Sequence, residues 1–233
     1  MANLVYEPDA AIEAANLKGK LIIRGLPQNQ CRYIVLIDHD LRVQTVAIRG
    51  TANKENAWVD ADTIKLLDPT LRINIHRGFQ RATDELYTDI IPFLQKDYKT
   101  RITGHSLGGA MACVLMMRLM HDGYRVAQVV TFGQPKVTND EGGQQYAAAP
   151  YLRVIDDEDI VPRIPPSDVV FDWSGPYNHF GPEIVLSTGT TFTYSPVPQP
   201  QPLASNDSWK NLTAKSLQDH QMKNYLDRLR GLR

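Results

Sequence analysis

The stretch Arg101-Ile102-Thr103-Gly104-His105-Ser106-Leu107-Gly108-Gly109-Ala110 joins a short β-rich run to an apolar helix. A Gly-x-Ser-x-Gly run carries chemical meaning only in such a setting, where the serine occupies a tight, strained strand-to-helix turn. That turn lifts the hydroxyl above the edge of a sheet. Side chains at Gly104 and Gly108 would clash with the neighbouring strand and helix, and Gly109 and Ala110 are small where the helix crosses close to the sheet. The serine also lies at a helix N-terminus, whose free backbone N–H groups favour developing negative charge. Ser106 is therefore a candidate nucleophile.

Outward from this turn, strand and helix signals alternate. Tyr33 to Asp38 and Val43 to Arg49 are β-rich and joined through His39-Asp40, which predicts an antiparallel hairpin feeding a central sheet. A short helix is predicted over Asp9 to Asn16, a partly helical segment over Ala52 to Leu67, and a strand over Arg72 to His76. Phe79, Ala82, Leu86, Ile90, Phe93 and Leu94 recur at helical spacing within Phe79 to Tyr98, with Pro92 predicting a kink or an end. Leu107 to Met120 is an apolar helix closed by Asp122-Gly123. Val126 to Phe132 is almost continuously apolar, as expected where both faces of a sheet are covered. Tyr151 to Ile155 is a further strand. Glu183 to Ser187 and Thr190 to Tyr194 are expected to pair as a late hairpin, and Asp207 to Arg230 to be helical in two pieces. The pattern predicts an α/β fold with a mostly parallel central sheet and helices on both faces.

Length and charge bound the rest. The 233 residues, 42% hydrophobic, suffice for one core, so residues 1–233 are expected to form a single domain. A net charge of −1, with both signs interspersed, gives no electrostatic footprint for nucleic acid or an anionic membrane surface. No stretch approaches the ~20 apolar residues that span a bilayer. The first twenty residues carry no secretory signal, so the expectation is a cytoplasmic chain or one lacking its signal. With only Cys31 and Cys113, a disulfide framework is not expected.

Serine is a poor nucleophile until a base takes its proton, and a third group must orient that base. On a strand–serine–helix turn of the α/β-hydrolase kind, the chain order is serine, acid, histidine. Of six histidines, only His179 and His220 follow a credible acid. His220, at the start of the last helix, is favoured over His179, which lies in an aromatic Gly/Pro loop suited to a structural hydrogen bond. The acid is sought after the Tyr151 to Ile155 strand, among Asp156, Asp157, Glu158 and Asp159. Adjacent carboxylates repel, so most must be solvated. Asp159, followed by Ile160-Val161-Pro162, is preferred, with Asp156 second. His105 is expected to be a packing residue pointing away from Ser106.

Six runs in order give these residues a wider context: Ala47-Ile48-Arg49-Gly50-Thr51, Ile75-His76-Arg77-Gly78-Phe79, Thr103 to Ala110, Thr131-Phe132-Gly133-Gln134-Pro135, Asp159 to Pro166, and His220-Gln221-Met222-Lys223-Asn224-Tyr225. Together they resemble the class 3 lipases, the fungal triacylglycerol lipases and their bacterial and plant relatives. The resemblance implies the α/β-hydrolase fold, with Ser106 as nucleophile, Asp159 as acid and His220 as base. It implies an oxyanion hole from Thr51 and the Leu107 N–H. It also implies a lid directly after Thr51, here Ala52 to Asp60, in which only Trp58 and Val59 are large and apolar. Asp60 or Asp62 would brace Thr51. So short and polar a lid argues against strong interfacial activation.

The expected activity is hydrolysis of acylglycerols or other fatty-acyl esters through an acyl-enzyme on Ser106, with no metal and no cofactor. The expected partner is a lipid or small ester substrate, with transient contact at a lipid interface, no nucleic acid and no transmembrane segment. A phospholipase A1, a feruloyl-type esterase and an acyltransferase share this machinery. A non-catalytic lipase-like binding module is the reading from another class.

Overall fold

Strands that alternate with helices through the middle of the chain have no short route back to a neighbour except by crossing over the sheet, and that is how they pair. The computed structural model describes residues 1–26, 31–50, 63–166, 174–199 and 217–232. Its strands are β1 (Lys20–Leu26), β2 (Cys31–Asp38), β3 (Val43–Ile48), β4 (Lys65–Leu67), β5 (Asn74–His76), β6 (Lys99–His105), β7 (Val126–Phe132), β8 (Tyr151–Asp156), β9 (Glu183–Leu186) and β10 (Phe192–Ser195). Among the described residues the main sheet has the order β1-β2-β3-β6-β7-β8-β9-β10. Its interior, from β3 through β9, is parallel, and antiparallel pairs close both edges.

The helices divide between the two faces. α1 (Asp9–Ala14) lies near the N-terminus, α2 (Arg77–Ile90) follows β5, and α3 (Leu107–His121) follows β6. α4 (Asp140–Gln145) follows β7, and α5 (Met222–Gly231) ends the described chain. α3 is apolar almost all round and is buried accordingly, packed on β3, β6 and β7 beneath α2. α2 lays Phe79, Ala82, Leu86 and Ile90 against that core and stops at Ile90, ahead of a single 3-10 turn containing Pro92. The other face is covered at its two ends. Val5 and Ile12 pack on Ile34 and Ala47, while Met222 and Tyr225 of α5 pack on Val154 and Leu186.

Several expectations are corrected. β1 went unread because its apolar core is only Leu21-Ile22-Ile23 between charged residues and Gly25, which is how a half-exposed edge strand is written. The Arg72 to His76 strand is shorter and does not join the main sheet: β5 pairs with β4, inside the segment expected to be partly helical. Continuous apolar sequence in β7 did not mean cover on both faces. Ala127 and Gln128 are exposed, and Gln128 borders a cavity of about 440 Å³ left on the sheet between the N-terminal segment and α5. The late hairpin forms as expected. Both cysteines are buried, and neither is in a disulfide.

One feature of the sheet is costly. Arg153 on β8 and Glu183 on β9 are register partners, hydrogen-bonded to each other, with each side chain only 1% exposed.

Candidate active site

Parallel strands carry their C-terminal ends to one edge of the sheet, and the described site is built there. Ser106 follows the last residue of β6 and caps α3 with φ 62° and ψ −131°. A side chain held at positive φ costs about 1–3 kcal/mol and persists only where its surroundings enforce it. Here the Ser106 N–H donates to the Phe132 carbonyl at 2.9 Å, and the Ser106 carbonyl accepts from Gly109 N–H at 2.9 Å. The flanking glycines are obligatory for the reason read from sequence. A Cβ on Gly104 would stand 2.1 Å from the Gly108 carbonyl oxygen, and one on Gly108 would stand 2.3 Å from the Ile48 carbonyl oxygen.

Three groups distant in the chain meet at this turn. His220 Nε2 lies 2.7 Å from Ser106 Oγ, and His220 Nδ1 lies 2.7 Å from Asp159 Oδ2. His220 and Asp159 are fully buried, and Ser106 is 3% exposed. With Nδ1–H donating to the carboxylate, Nε2 turns its lone pair toward the Ser106 hydroxyl and can accept its proton. Asp159 Oδ1 accepts from the Val161 N–H at 2.9 Å, so the following Ile-Val-Pro segment aims the carboxylate. Asp156 is elsewhere: its carboxylate faces Arg228 Nε at 2.7 Å. His220 precedes α5 by two residues rather than starting it. His179 gives its Nε2–H to the Pro162 carbonyl at 2.6 Å, and burial, with Arg153 and Lys136 nearby, holds its pKa far below the usual histidine value.

Sequence reasoning missed the supports of this line. Tyr225 donates its hydroxyl to Asp159 Oδ2 at 2.6 Å and accepts from the Asp156 N–H at 3.2 Å. Burial, reinforced by Asp159, raises its pKa, so the phenol stays protonated and able to donate. Its only sequence signal was its place at the end of the His220 to Tyr225 run. Tyr6 had none. Its hydroxyl accepts from the Gly50 N–H at 3.0 Å and lies 2.8 Å from His105 Nδ1. Burial pushes the Tyr6 pKa up to about 12, so the phenol stays protonated. His105 is a packing residue, but it does not point away from the site: its ring stacks on His220 with centroids 4.7 Å apart. Gly133, at φ 54°, leaves the room for all this, since a Cβ there would come within 2.9 Å of Asp159, His220 and Tyr225.

Two expectations follow from these contacts. Tyr225→Phe removes a hydrogen bond to a carboxylate, an interaction typically worth ~1.5–3 kcal/mol. Steady-state assays on a soluble ester should therefore show a kcat about tenfold lower, and an unchanged kcat would refute the support assigned to this phenol. Asp156 gives a pH signature. Burial raises its pKa to about 6, against the opposing pull of the Glu158 N–H and Arg228. A carboxyl group that binds its proton more tightly when folded contributes stability below its unfolded pKa near 4, and that contribution is lost as pH rises through about 6. Denaturation from pH 4 to 7 should show wild type losing stability relative to Asp156→Asn across that window. Parallel curves would contradict this.

Leu107 opens α3, in the first turn, where backbone N–H groups lack intrahelical acceptors. Thr51, Trp58, Val59, Asp60 and Asp62 lie outside the described residues. Among the described residues the carboxylates of Asp156, Asp157 and Glu158 are the one group close enough to share a metal, and the Arg228 guanidinium sits among them. No helix of the described residues is long and apolar enough to cross a membrane.

Known proteins carry the same architecture. Lipase II from Rhizopus niveus superposes with a TM-score of 0.69 at 24% identity, over 81% of this chain and 76% of that one. The secreted mono- and diacylglycerol lipase 1 of Fusarium solani is 31% identical over 193 residues, which is 78% of this chain and 54% of that protein. A lipase of Caenorhabditis elegans is 32% identical over 148 residues, 59% of this chain and 42% of its own length. The chain thus spans about half the length of these two relatives. The family model described as lipase (class 3) matches residues 45–169, more than half of the sequence and the part that includes Ser106 and Asp159. By that match, this chain belongs to the class 3 lipase family.

Proposed function

We propose that this protein hydrolyses carboxylic esters of fatty acids, acylglycerols among them, through an acyl-enzyme on Ser106. The observation that carries the reading is the unbroken line Asp159–His220–Ser106, with both hydrogen bonds at 2.7 Å, buried at the N-terminus of α3. His220 Nε2 takes the Ser106 proton as Oγ attacks the ester carbonyl. Asp159 keeps His220 in the required tautomer and offsets the charge of the imidazolium. The tetrahedral oxyanion is received by the Leu107 N–H and by Thr51, and one such donor is typically worth ~3 kcal/mol. The imidazolium then protonates the departing alcohol. A water molecule, deprotonated by the same histidine, cleaves the acyl-enzyme, releasing the acid and restoring Ser106. Kinship with lipases supports a lipid or small ester as the partner.

A fluorophosphonate probe tests the chemistry, because only an activated serine reacts. Labelling at Ser106 is expected, and an unlabelled protein would favour a non-catalytic binding module. Rates on p-nitrophenyl esters of increasing chain length, with triolein and a phospholipid alongside, test the substrate class. Preference for short esters with no turnover of triolein would replace the lipase reading with that of an esterase.

A further inference from the structure

The two groups that activate Ser106 come from separate parts of the chain. Asp159 stands on the loop after β8, and His220 precedes α5. Hydrogen-bond geometry between them requires those two segments to be held together, and two side chains of α5 do so: Tyr225, bonded to Asp159 and to the Asp156 N–H, and Arg228. Arg228, on α5, places Nε 2.7 Å from Asp156 Oδ2 and Nη1 3.0 Å from Asp157 Oδ1. The same Nη1 reaches the Leu186 carbonyl at 3.3 Å, and Nη2 bonds the Glu158 carboxylate. A planar guanidinium with five donors in a fixed fork meets three carboxylates and a carbonyl here, one acceptor more than a lysine has donors for.

Asp156 then passes this restraint on. Its side chain faces Arg228, its N–H donates to Tyr225, and its carbonyl accepts from the Asp159 N–H at 3.0 Å. This is no exposed surface pair. The Asp156 side chain is fully buried and that of Arg228 is 15% exposed.

We propose that Arg228 is a positioning residue for catalysis: it clamps the Asp156–Asp159 loop onto α5 and so sets the Asp159–His220 hydrogen bond. The proposal rests on the ester-hydrolase reading for its kinetic consequence, but not for its structural one. Arg228 touches no reacting atom. It acts through Asp156 and Tyr225, and misplacing a catalytic pair by about 1 Å can cost up to ~100-fold in rate.

The test uses Arg228→Met and Arg228→Lys in the full chain. On a soluble p-nitrophenyl ester, Arg228→Met is expected to lower kcat by about 10- to 100-fold with KM within about twofold of wild type. Arg228→Lys, which keeps the charge but not the fork, should fall between them. The acidic limb of kcat/KM reports the base. It should move to higher pH in Arg228→Met, because Asp156, Asp157 and Glu158 lose their counter-charge. Among the described residues Asp159 and Ser106 hydrogen-bond His220 and His105 stacks on it, and all three are unchanged in that variant. A substrate-free readout separates the clamp from the reaction. The far-downfield proton of His220 Nδ1–H, bonded to Asp159, should be sharp in wild type and shifted upfield or broadened in Arg228→Met. Wild type inactive on every ester, with that resonance still lost in the variant, would sink the hydrolase reading and keep the clamp. A lower Tm with kcat, pH limb and resonance all unchanged would overturn the clamp. If Arg228→Met does not fold, Arg228→Lys decides: a kcat and resonance equal to wild type would overturn it, and an intermediate loss in both would uphold it.

Discussion

Replacing Ser106 with alanine should abolish ester hydrolysis while leaving the protein folded. The change removes one oxygen from a side chain that is 3% exposed. Its folded-state cost is one hydrogen bond to His220, about 1 kcal/mol. The elbow itself survives, because its geometry comes from Gly104, Gly108 and the Ser106 backbone bonds to Phe132 and Gly109. Alanine at φ 62° carries the same strain as serine. The chemical cost is of another order. Without Oγ there is no acyl-enzyme, and loss of a serine nucleophile from such a triad typically lowers kcat by about 10⁶-fold. Activity on p-nitrophenyl esters should drop at least ~10⁴-fold, fluorophosphonate labelling should vanish, and Tm should stay within a few degrees of wild type. Residual activity within tenfold of wild type would place the nucleophile elsewhere.

The largest expected loss of stability lies away from the site. In Arg153→Met the carboxylate of Glu183 stays buried on the neighbouring strand without its counter-ion. Removing one partner of a buried ion pair costs about 3–5 kcal/mol. For a chain of this size that corresponds to a fall in Tm of roughly 10 °C. The pair itself is not a strong net stabiliser. Among the described residues Arg153 Nε and Nη1 have no hydrogen-bond partner, so burial of the guanidinium is only partly compensated. Glu183→Gln added to Arg153→Met should therefore recover most of the loss, since the glutamine carbonyl can still accept the Gln199 N–H that Glu183 Oε1 takes at 2.8 Å. Chemical denaturation of the two variants measures both effects. A single variant as stable as wild type would mean that water reaches Glu183.

Much of this molecule was legible in one dimension because its decisive constraints are local. Gly-His-Ser-Leu-Gly states a backbone turn, and the clashes that would follow substitution of either glycine are with atoms a few residues away or on the adjacent strand. The helical spacing of α2 and the almost wholly apolar α3 declare which faces are buried. The order of serine, acid and histidine narrowed the base to His179 or His220 and the acid to the Asp156–Asp159 run, and the resemblance to class 3 lipases then implied Ser106, Asp159 and His220.

What stayed hidden depends on contacts between segments far apart. An edge strand such as β1 is defined by its one neighbour, and its own sequence is half polar. Whether β7 is covered on both faces depends on how far the N-terminal segment and α5 reach across the sheet. Tyr6 and Arg228 are ordinary residues in sequence. Tyr6 matters because the fold carries its hydroxyl to Gly50 and His105, 44 and 99 residues away. Arg228 matters because α5 docks beside the loop that holds Asp159. Sequence by itself determined which groups could do the chemistry, because residue type and local backbone shape are written position by position. Only the tertiary structure decided which groups hold that chemistry in place, because hydrogen bonds across 60 or 100 residues leave no periodic mark in the chain.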